Sequence, residues 1–156
     1  MHESVRTWIA AESAGLREKH VLEIGSRDEN GTIRDLFTGT YIGIDMRAGP
    51  SVDRVMDAHE IHFKTGTFDV VICAEVLEHD AAFWLTLAEA GRVLVPGGHL
   101  LLTTRGNGFA EHAYPSDYWR FMPASASRLA ELAGCAVLSS QADPQAPGVF
   151  LHGVRS

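Results

Sequence analysis

Short apolar runs, separated by polar and glycine-containing stretches, dominate the first two thirds of the chain. Each run is five to seven residues long and is bounded by turn-forming residues. Runs of this kind are typical of strands that are buried on both faces of a parallel sheet. The five predicted strands cover residues 21–25, 41–45, 52–56, 68–74 and 99–104.

Apolar residues at helical spacing precede and separate these strands. Residues 3–19 carry such a stripe before the first strand, and residues 29–37 and 80–95 are predicted to form two further helices. The last of these helices must end at the Pro-Gly-Gly stretch 96–98, because proline and glycine interrupt helices.

The pattern changes after the fifth strand. Met122-Pro123 predicts the start of a helix that ends near Gly134, since proline is favourable at the first helical position. Two apolar runs, residues 136–140 and 149–154, then flank a proline-containing turn. Their arrangement predicts an antiparallel hairpin at the end of the sheet.

Strands that alternate with helices predict an α/β protein. We expect a doubly wound, mostly parallel, Rossmann-like sheet of seven strands that ends in the antiparallel hairpin. Only residues 46–51 join the second and third predicted strands, whereas a parallel crossover normally takes a dozen residues or more. The next link, residues 57–67, is also short. Shortened crossovers would leave one flank of the sheet thinly covered, which makes that flank a candidate surface for homodimer formation.

The length of 156 residues fits one domain, and the hydrophobic fraction of 46% and charged fraction of 21% are those of an ordinary globular protein. Residues 1–156 are therefore expected to form a single domain. Its predicted parts are an N-terminal helix (1–19), a cofactor-binding core (21–104), a substrate loop (105–122), and a helix with the terminal hairpin (123–156).

Charge and hydropathy narrow the choice of partners. The formal net charge is −7 and no run of Lys or Arg occurs, which disfavours nucleic acid as a substrate. No window approaches the ~20 apolar residues of a membrane span, and the N-terminus lacks a signal-peptide core, so we expect a cytoplasmic protein. Cys73 and Cys135 lie in apolar stretches and are interpreted as reduced core residues.

An acidic residue lies at or near the end of four successive predicted strands: Glu23, Asp45, Asp57 and Glu75. In an open α/β sheet, ligands bind beyond the carboxyl ends of the strands. An acid after the second strand suits the hydroxyl groups of a ribose, and an acid after the third can accept from an adenine amine. Glu23 lies near the loop that would meet a cationic end of the ligand.

The loop after the first strand argues against a dinucleotide. A pyrophosphate requires G-x-G-x-x-G, whereas this loop contains Arg27 and Asp28 and no G-x-G. A nicotinamide-dependent oxidoreductase is therefore a less favoured alternative. A catalytically silent cofactor-binding or scaffold domain is a second alternative, because the first loop is irregular and the crossovers are short.

Five segments resemble, in this order, the successive motifs of class I S-adenosylmethionine-dependent methyltransferases of the broad methyltransferase-11 type. They read VLEIGSRDENG, YIGIDM, VMDAHEIHF, FDVVICAEVLEHD and RVLVPGGHLLLTT. The resemblance covers approximately residues 21–134 and implies S-adenosylmethionine as the cofactor. The later segment YPSDYWRFMP is similar to one in family members linked to glycan or lipid modification. The implied activity is methyl transfer to a small-molecule, glycan- or lipid-linked or other non-nucleic-acid acceptor.

The resemblance implies that the first loop holds the methionine part of the cofactor, through Glu23, Gly25 and Ser26. Arg27 either pairs with the cofactor carboxylate or is solvated. The family commonly has acid-x-Gly-x-Gly-x-Gly here, and this chain departs from it with Glu-Ile-Gly-Ser-Arg-Asp-Glu-Asn-Gly.

The resemblance also implies roles at the later strand ends. Asp45 would bind the ribose hydroxyls with Met46 against adenine, Asp57 would meet the adenine amine beside Ala58, and Glu75 would face cofactor and substrate. The alternatives are structural, namely that Asp45 caps a turn, that Asp57 caps a short helix, and that Glu75 caps the helix that follows it.

A general base is required only for a reluctant nucleophile such as a hydroxyl or ammonium group. The candidates are His79, His112 and Asp117, although a structural role is the alternative for His79. Residues 112–120 are a candidate substrate lid; alternatively, Tyr118, Trp119 and Phe121 pack on the sheet edge. His59 and His62 have a spacing of three but no evident third ligand, so we expect no metal site.

Overall fold

The computed structural model describes residues 2–112 and 116–156 and confirms the predicted α/β class. The strands are β1 (Val21–Ile24), β2 (Tyr41–Asp45), β3 (Arg54–Val55), β4 (Phe68–Ala74), β5 (Leu94–Arg105), β6 (Cys135–Ala142) and β7 (Gly148–Arg155). The helices are α1 (Glu3–Glu12), α2 (Phe83–Val93) and α3 (Ala126–Leu132). Residues 113–115, which belong to the predicted substrate loop and lid, lie outside the described part, as does Met1.

All seven strands form one sheet in the order β3-β2-β1-β4-β5-β7-β6. Strands β1 to β5 are parallel, and β7 is antiparallel to both β5 and β6. The strand order reverses direction between β1 and β4, so the ligand crevice of an open sheet is expected beyond the carboxyl ends of these two strands. The mostly parallel sheet with a terminal antiparallel hairpin is thus confirmed.

Helices cover both faces of the sheet, as the term doubly wound requires. On one face, Leu22 and Val71 belong to a core that includes Leu87 of α2 and Leu129 of α3. On the other face, a second core joins Val21, Val70 and Ile72 to side chains of α1. The α1 residues in this core are Val5, Trp8 and Ile9. Burial on both faces explains why these strands have near-continuous apolar sequences.

The predicted helix over residues 29–37 is wrong. Only the 3₁₀ turn Arg34–Leu36 forms there. The Asp28 carboxylate accepts a hydrogen bond of 2.7 Å from the backbone N–H of Gly31, whose φ is +117°. An Asp side chain that closes such a turn competes with helix formation, and a positive φ is incompatible with the α-helix. Ile33 and Phe37 are buried nevertheless.

The short crossovers after β2 and β3 are confirmed, since neither residues 46–53 nor residues 56–67 contain a helix. The edge strand β3 is only two residues long, and both are exposed. Self-association through this flank stays a prediction. No helix within the described ranges has both the length and the apolar character needed to cross a membrane.

Candidate active site

The first loop begins at Gly25, whose backbone has a φ of +74°. A side chain at this position would overlap the Cγ2 methyl group of Val76, which follows β4. Glycine therefore satisfies two demands at once: the left-handed conformation and the close approach of the loops that follow β1 and β4. These are the two loops that border the expected crevice.

Glu23, two residues before Gly25, is only 4% exposed. Its Oε2 atom accepts a 2.8 Å hydrogen bond from the hydroxyl group of Tyr41 on the neighbouring strand. Burial raises the pKa of Glu23 to about 7, although the hydrogen bond from Tyr41 opposes this rise. A nearby cation would favour the ionised form of such a carboxyl group.

Ser26 and Arg27 continue the loop in different environments. Ser26 is buried, and its Oγ atom has no hydrogen-bond partner in the part of the chain that the structure describes. Arg27 forms an ion pair with Glu29 and donates from Nε to the carbonyl oxygen of Ala48 at 3.3 Å. Arg27 thus connects the first loop to the link after β2. This structural role differs from both predicted alternatives, which were pairing with the cofactor carboxylate and solvation.

Asp45 and Asp57 end β2 and follow β3, and each closes a short turn. The Oδ1 atom of Asp45 accepts from the N–H of Arg47 at 2.9 Å, and that of Asp57 accepts from the N–H of His59 at 2.8 Å. Both aspartates thus have the turn-closing contacts of the structural alternative. Each contact uses one carboxylate oxygen, so it is compatible with ligand binding through the other.

A cavity of about 300 Å³ opens beside these strand ends. It is lined by Met46, Val55, Met56, Asp57, Glu60 and His62. Met46 is 70% exposed, while Ala58 is half-buried against the core. The cavity lies where the family resemblance implies the adenine.

Glu75 does not cap a helix, and both of its carboxylate oxygens have partners. Its Oε1 atom accepts from the Thr103 hydroxyl at 2.9 Å, and its Oε2 atom pairs with the fully buried guanidinium of Arg105. Arg105 also donates to Asp143 at 3.0 Å. The backbone of Glu75 has a φ of +60°, which is unusual for a residue other than glycine and recurs at functional sites. The ion pair holds the carboxylate of Glu75 against β5.

The three candidate bases lie close together. The rings of His79 and His112 are 4.6 Å apart between centroids, and the N–H of His112 donates to Asp117 at 2.9 Å. The side chain of Asp117 is 1% exposed and receives two hydrogen bonds of 2.5 Å from Arg120, whose guanidinium holds the pKa of Asp117 well below its usual range. A carboxylate with so low a pKa is a poor base, so the geometry disfavours Asp117 in that role.

His79 remains the better-placed base. Its Nδ1 atom is 2.6 Å from the carbonyl oxygen of Ser116. A carbonyl oxygen only accepts hydrogen bonds, so Nδ1 carries the proton and Nε2 has a lone pair. His59 pairs with Asp80, and His62 is exposed beside Glu60.

Sequence reasoning missed Glu78, which is fully buried between the candidate bases and β5. Its Oε2 atom accepts from the Thr104 hydroxyl at 2.8 Å, and its backbone oxygen accepts from the N–H of Tyr118 at 2.7 Å. Burial raises the pKa of Glu78, and the neighbouring Glu75 carboxylate adds to the rise. The sequence feature that could have identified Glu78 is its position three residues after Glu75, directly beyond a buried strand.

The alternative predicted for the aromatic residues of the lid is partly realised. Phe121 is buried and its ring packs 5.1 Å from that of Phe83, while Trp119 donates from Nε1 to the carbonyl oxygen of Asp80. Tyr118 is 54% exposed. The segment after residue 115 is therefore attached to the loop between β4 and α2 and also presents aromatic surface to solvent.

Comparison with known proteins finds one family whose members resemble part of this chain. The profile of a family described as a methyltransferase domain matches residues 31–102, from the first loop to the middle of β5. The matched segment, a little under half of the chain, is thus similar to a methyltransferase domain. A curated relative, phthiotriol/phenolphthiotriol dimycocerosates methyltransferase 1 of Mycobacterium ulcerans, is 37% identical in an alignment 103 residues long, which covers 56% of this chain and 38% of the relative.

Solved structures of other proteins share the fold. The 1,6-didemethyltoxoflavin-N1-methyltransferase of Burkholderia thailandensis, with bound S-adenosylhomocysteine, has a TM-score of 0.81 at 18% identity, over 99% of this chain and 79% of that one. The YcgJ protein of Bacillus subtilis has a TM-score of 0.77 at 14% identity, over 99% of both chains. The predicted fold is thus confirmed, and the matches support the predicted methyltransferase family and its S-adenosylmethionine cofactor class. The roles of individual residues in this chain stay predictions.

Proposed function

We propose that this methyltransferase domain binds S-adenosylmethionine over the carboxyl ends of β1, β2 and β3 and transfers its methyl group to a non-nucleic-acid acceptor. The observation that carries the proposal is the placement of Glu23, Asp45 and Asp57 at three adjacent strand ends, around a loop that begins at Gly25. Glu23 would face the cationic ammonium group, Asp45 the ribose, and Asp57 the adenine, whose ring fits the cavity beside Met46.

Bound S-adenosylmethionine supplies a methyl group that its sulfonium already activates. The protein must then align the acceptor and exclude water. An acceptor with a hydroxyl or ammonium group also needs a base, and Nε2 of His79 is placed for this because Ser116 fixes the proton on Nδ1.

Three features support a small-molecule or lipid-type acceptor. The curated relative is named for dimycocerosates and the Burkholderia neighbour for a didemethyltoxoflavin. Tyr118 and Met122 are more than half exposed next to the site and offer apolar surface. The net charge of −7 disfavours a polyanionic acceptor.

Calorimetric titration with S-adenosylmethionine, S-adenosylhomocysteine and NAD tests the cofactor class. We expect the two sulfur compounds to bind at one site per chain, and NAD to give no heat. Binding of NAD alone would overturn the proposal, because the site would then accept a pyrophosphate.

A catalytically silent S-adenosylmethionine-binding domain is the second candidate. It is favoured by the ion pairs that engage Arg27 with Glu29 and Glu75 with Arg105. Formation of S-adenosylhomocysteine over a panel of hydroxyl, amine, thiol and lipid acceptors separates the two candidates. Tight binding without product from any class of acceptor would favour the silent domain.

A further inference from the structure

Glu78, His79 and His112 bring three metal-ligating groups together at the carboxyl edge of the sheet. One nitrogen of each imidazole and one carboxylate oxygen all lie within 4.8 Å of one another. In a tetrahedral site with bonds of about 2.1 Å, neighbouring ligand atoms lie about 3.4 Å apart. Small side-chain rotations would therefore bring the three atoms onto one ion.

Both imidazoles are held as metal-ligating histidines usually are. Nδ1 of His79 donates to the carbonyl oxygen of Ser116, and Nδ1 of His112 faces the carbonyl oxygen of Ala110 and the carboxylate of Asp117, each at 3.4 Å. An oxygen acceptor at one ring nitrogen orients the ring and leaves the other nitrogen as a ligand.

The carboxylate of Glu78 supplies an independent indication. Its Oε1 atom is buried and, over the described ranges, has no hydrogen-bond partner, although Oε2 accepts from Thr104. A buried oxygen without a partner carries a desolvation penalty of about 1–3 kcal/mol, and binding of a ligand or a proton at this oxygen would remove the penalty.

The surrounding charges also favour a cation. The guanidinium of Arg105 is shared by Glu75 and Asp143, and that of Arg120 pairs with Asp117. Three carboxylates thus already pair with these two guanidiniums, and the hydrogen bond that the side chain of Glu78 accepts comes from a neutral hydroxyl group. When Glu78 is ionised as well, four carboxylates face two guanidiniums, and a divalent ion would neutralise the two excess negative charges.

We propose that Glu78, His79 and His112 bind a divalent transition-metal ion of the zinc class. Two imidazoles and one carboxylate are the ligands of catalytic zinc sites that keep a coordination position open. A bound ion would link the segment that carries His112 to the loop between β4 and α2. It would also occupy Nε2 of His79, so metal binding and general-base action by His79 exclude each other.

The test is calorimetric titration of EDTA-treated protein with Zn²⁺ alone, in the absence of S-adenosylmethionine, with Mg²⁺ for comparison. We expect one Zn²⁺ per chain, a rise in Tm with Zn²⁺, and no heat from Mg²⁺. The variants Glu78→Gln, His79→Ala and His112→Ala should each weaken Zn²⁺ binding by at least about tenfold. His62→Ala, at an exposed histidine beside Glu60, is the matched control and should bind Zn²⁺ as the native protein does.

The proposal is overturned if no Zn²⁺ binds, or if His79→Ala and His112→Ala bind it unchanged, or if binding is lost in His62→Ala. Should Glu78→Gln fail to fold, His112→Ala still decides the question, because His112 is a half-exposed residue outside the core. Titration of the Zn²⁺-free native protein with S-adenosylmethionine tests the proposed function separately.

Discussion

The hydroxyl group of Tyr41 on β2 donates a 2.8 Å hydrogen bond to Oε2 of Glu23 on β1, inside the sheet and next to the first loop. The two residues are neighbours across parallel strands, where Val21 is paired with Tyr41. This contact satisfies one oxygen of a carboxyl group that is almost completely buried.

We expect the stability of the protein to fall as the pH rises from about 4.5 to 7. The pKa of Glu23 is raised from 4.5 to about 7 by burial, so in this window the folded state keeps a proton that the unfolded state has released. Ionisation of Glu23 alone therefore costs the native state up to about 3 kcal/mol relative to the unfolded state between these pH values, and Glu78, whose pKa is also raised by burial, adds to this loss.

Urea denaturation of the native protein and of Glu23→Gln at each pH measures this effect. The variant should show a smaller loss of unfolding free energy between pH 4.5 and 7, since its amide does not titrate. Tyr41→Phe should move the transition to higher pH, because it removes a hydrogen bond that favours the carboxylate. Identical pH profiles for all three proteins would mean that Glu23 ionises normally.

Asp45→Ala should weaken S-adenosylmethionine binding by roughly 10- to 100-fold, as expected for the loss of hydrogen bonds to a charged acceptor worth about 1.5–3 kcal/mol. The fold should be preserved, because Asp45 is only partly buried and its described contact is the turn to Arg47. Calorimetry gives the Kd and circular dichroism the fold. Glu131→Ala, in an exposed ion pair on α3, is the control. A Kd unchanged in Asp45→Ala would refute the ribose role.

Arg105→Ala should destabilise the protein by about 3–5 kcal/mol, because it leaves the carboxylates of Glu75 and Asp143 without their buried partner. The side chain of Arg105 is inaccessible to solvent, and so is that of Asp143. Arg128→Ala removes an exposed pair with Glu131 and should cost no more than about 1 kcal/mol. Chemical denaturation compares the two variants, and equal losses would contradict a structural role for the ion pairs of Arg105 with Glu75 and Asp143.

Gly25→Ala should cost roughly 2–4 kcal/mol, from the left-handed backbone conformation together with the overlap with Val76. The double variant Gly25→Ala/Val76→Ala tests the steric part: the overlap is relieved, whereas the backbone strain remains. Gly15→Ala is the control, since a side chain there would meet nothing within 4 Å. If Gly25→Ala were no less stable than Gly15→Ala, the proposed approach of the two loops would be wrong.

Two residues that were visible in the sequence explain why the helix predicted over residues 29–37 does not form. The apolar positions of residues 29–37 have a helical spacing, yet Asp28 and Gly31 close a turn that prevents the helix from starting. Ile33 and Phe37 reach the core from irregular backbone. The helical spacing of apolar residues indicates which side chains are buried. It does not require a helix, because an irregular segment that contains a turn can bury the same side chains.

The sequence by itself determined the strands, their approximate ends and the acids that follow them. It did so because strands buried on both faces have continuous apolar runs, and because parallel strands must end at the same edge of a sheet. The hairpin was predicted from the proline-containing turn between two apolar runs. The short crossovers were predicted from the lengths of the links between strands.

Only the tertiary structure decided what the acids contact. Glu75 meets Arg105, which is 30 positions away, and Glu78 meets Thr104, which is 26 positions away. Such pairs depend on strand register, which no short-range pattern encodes. Asp117 pairs with Arg120 only three positions away, but the structure decided that this contact forms. The same packing brings His79 to His112, two residues that the sequence could name as candidates but could not bring together.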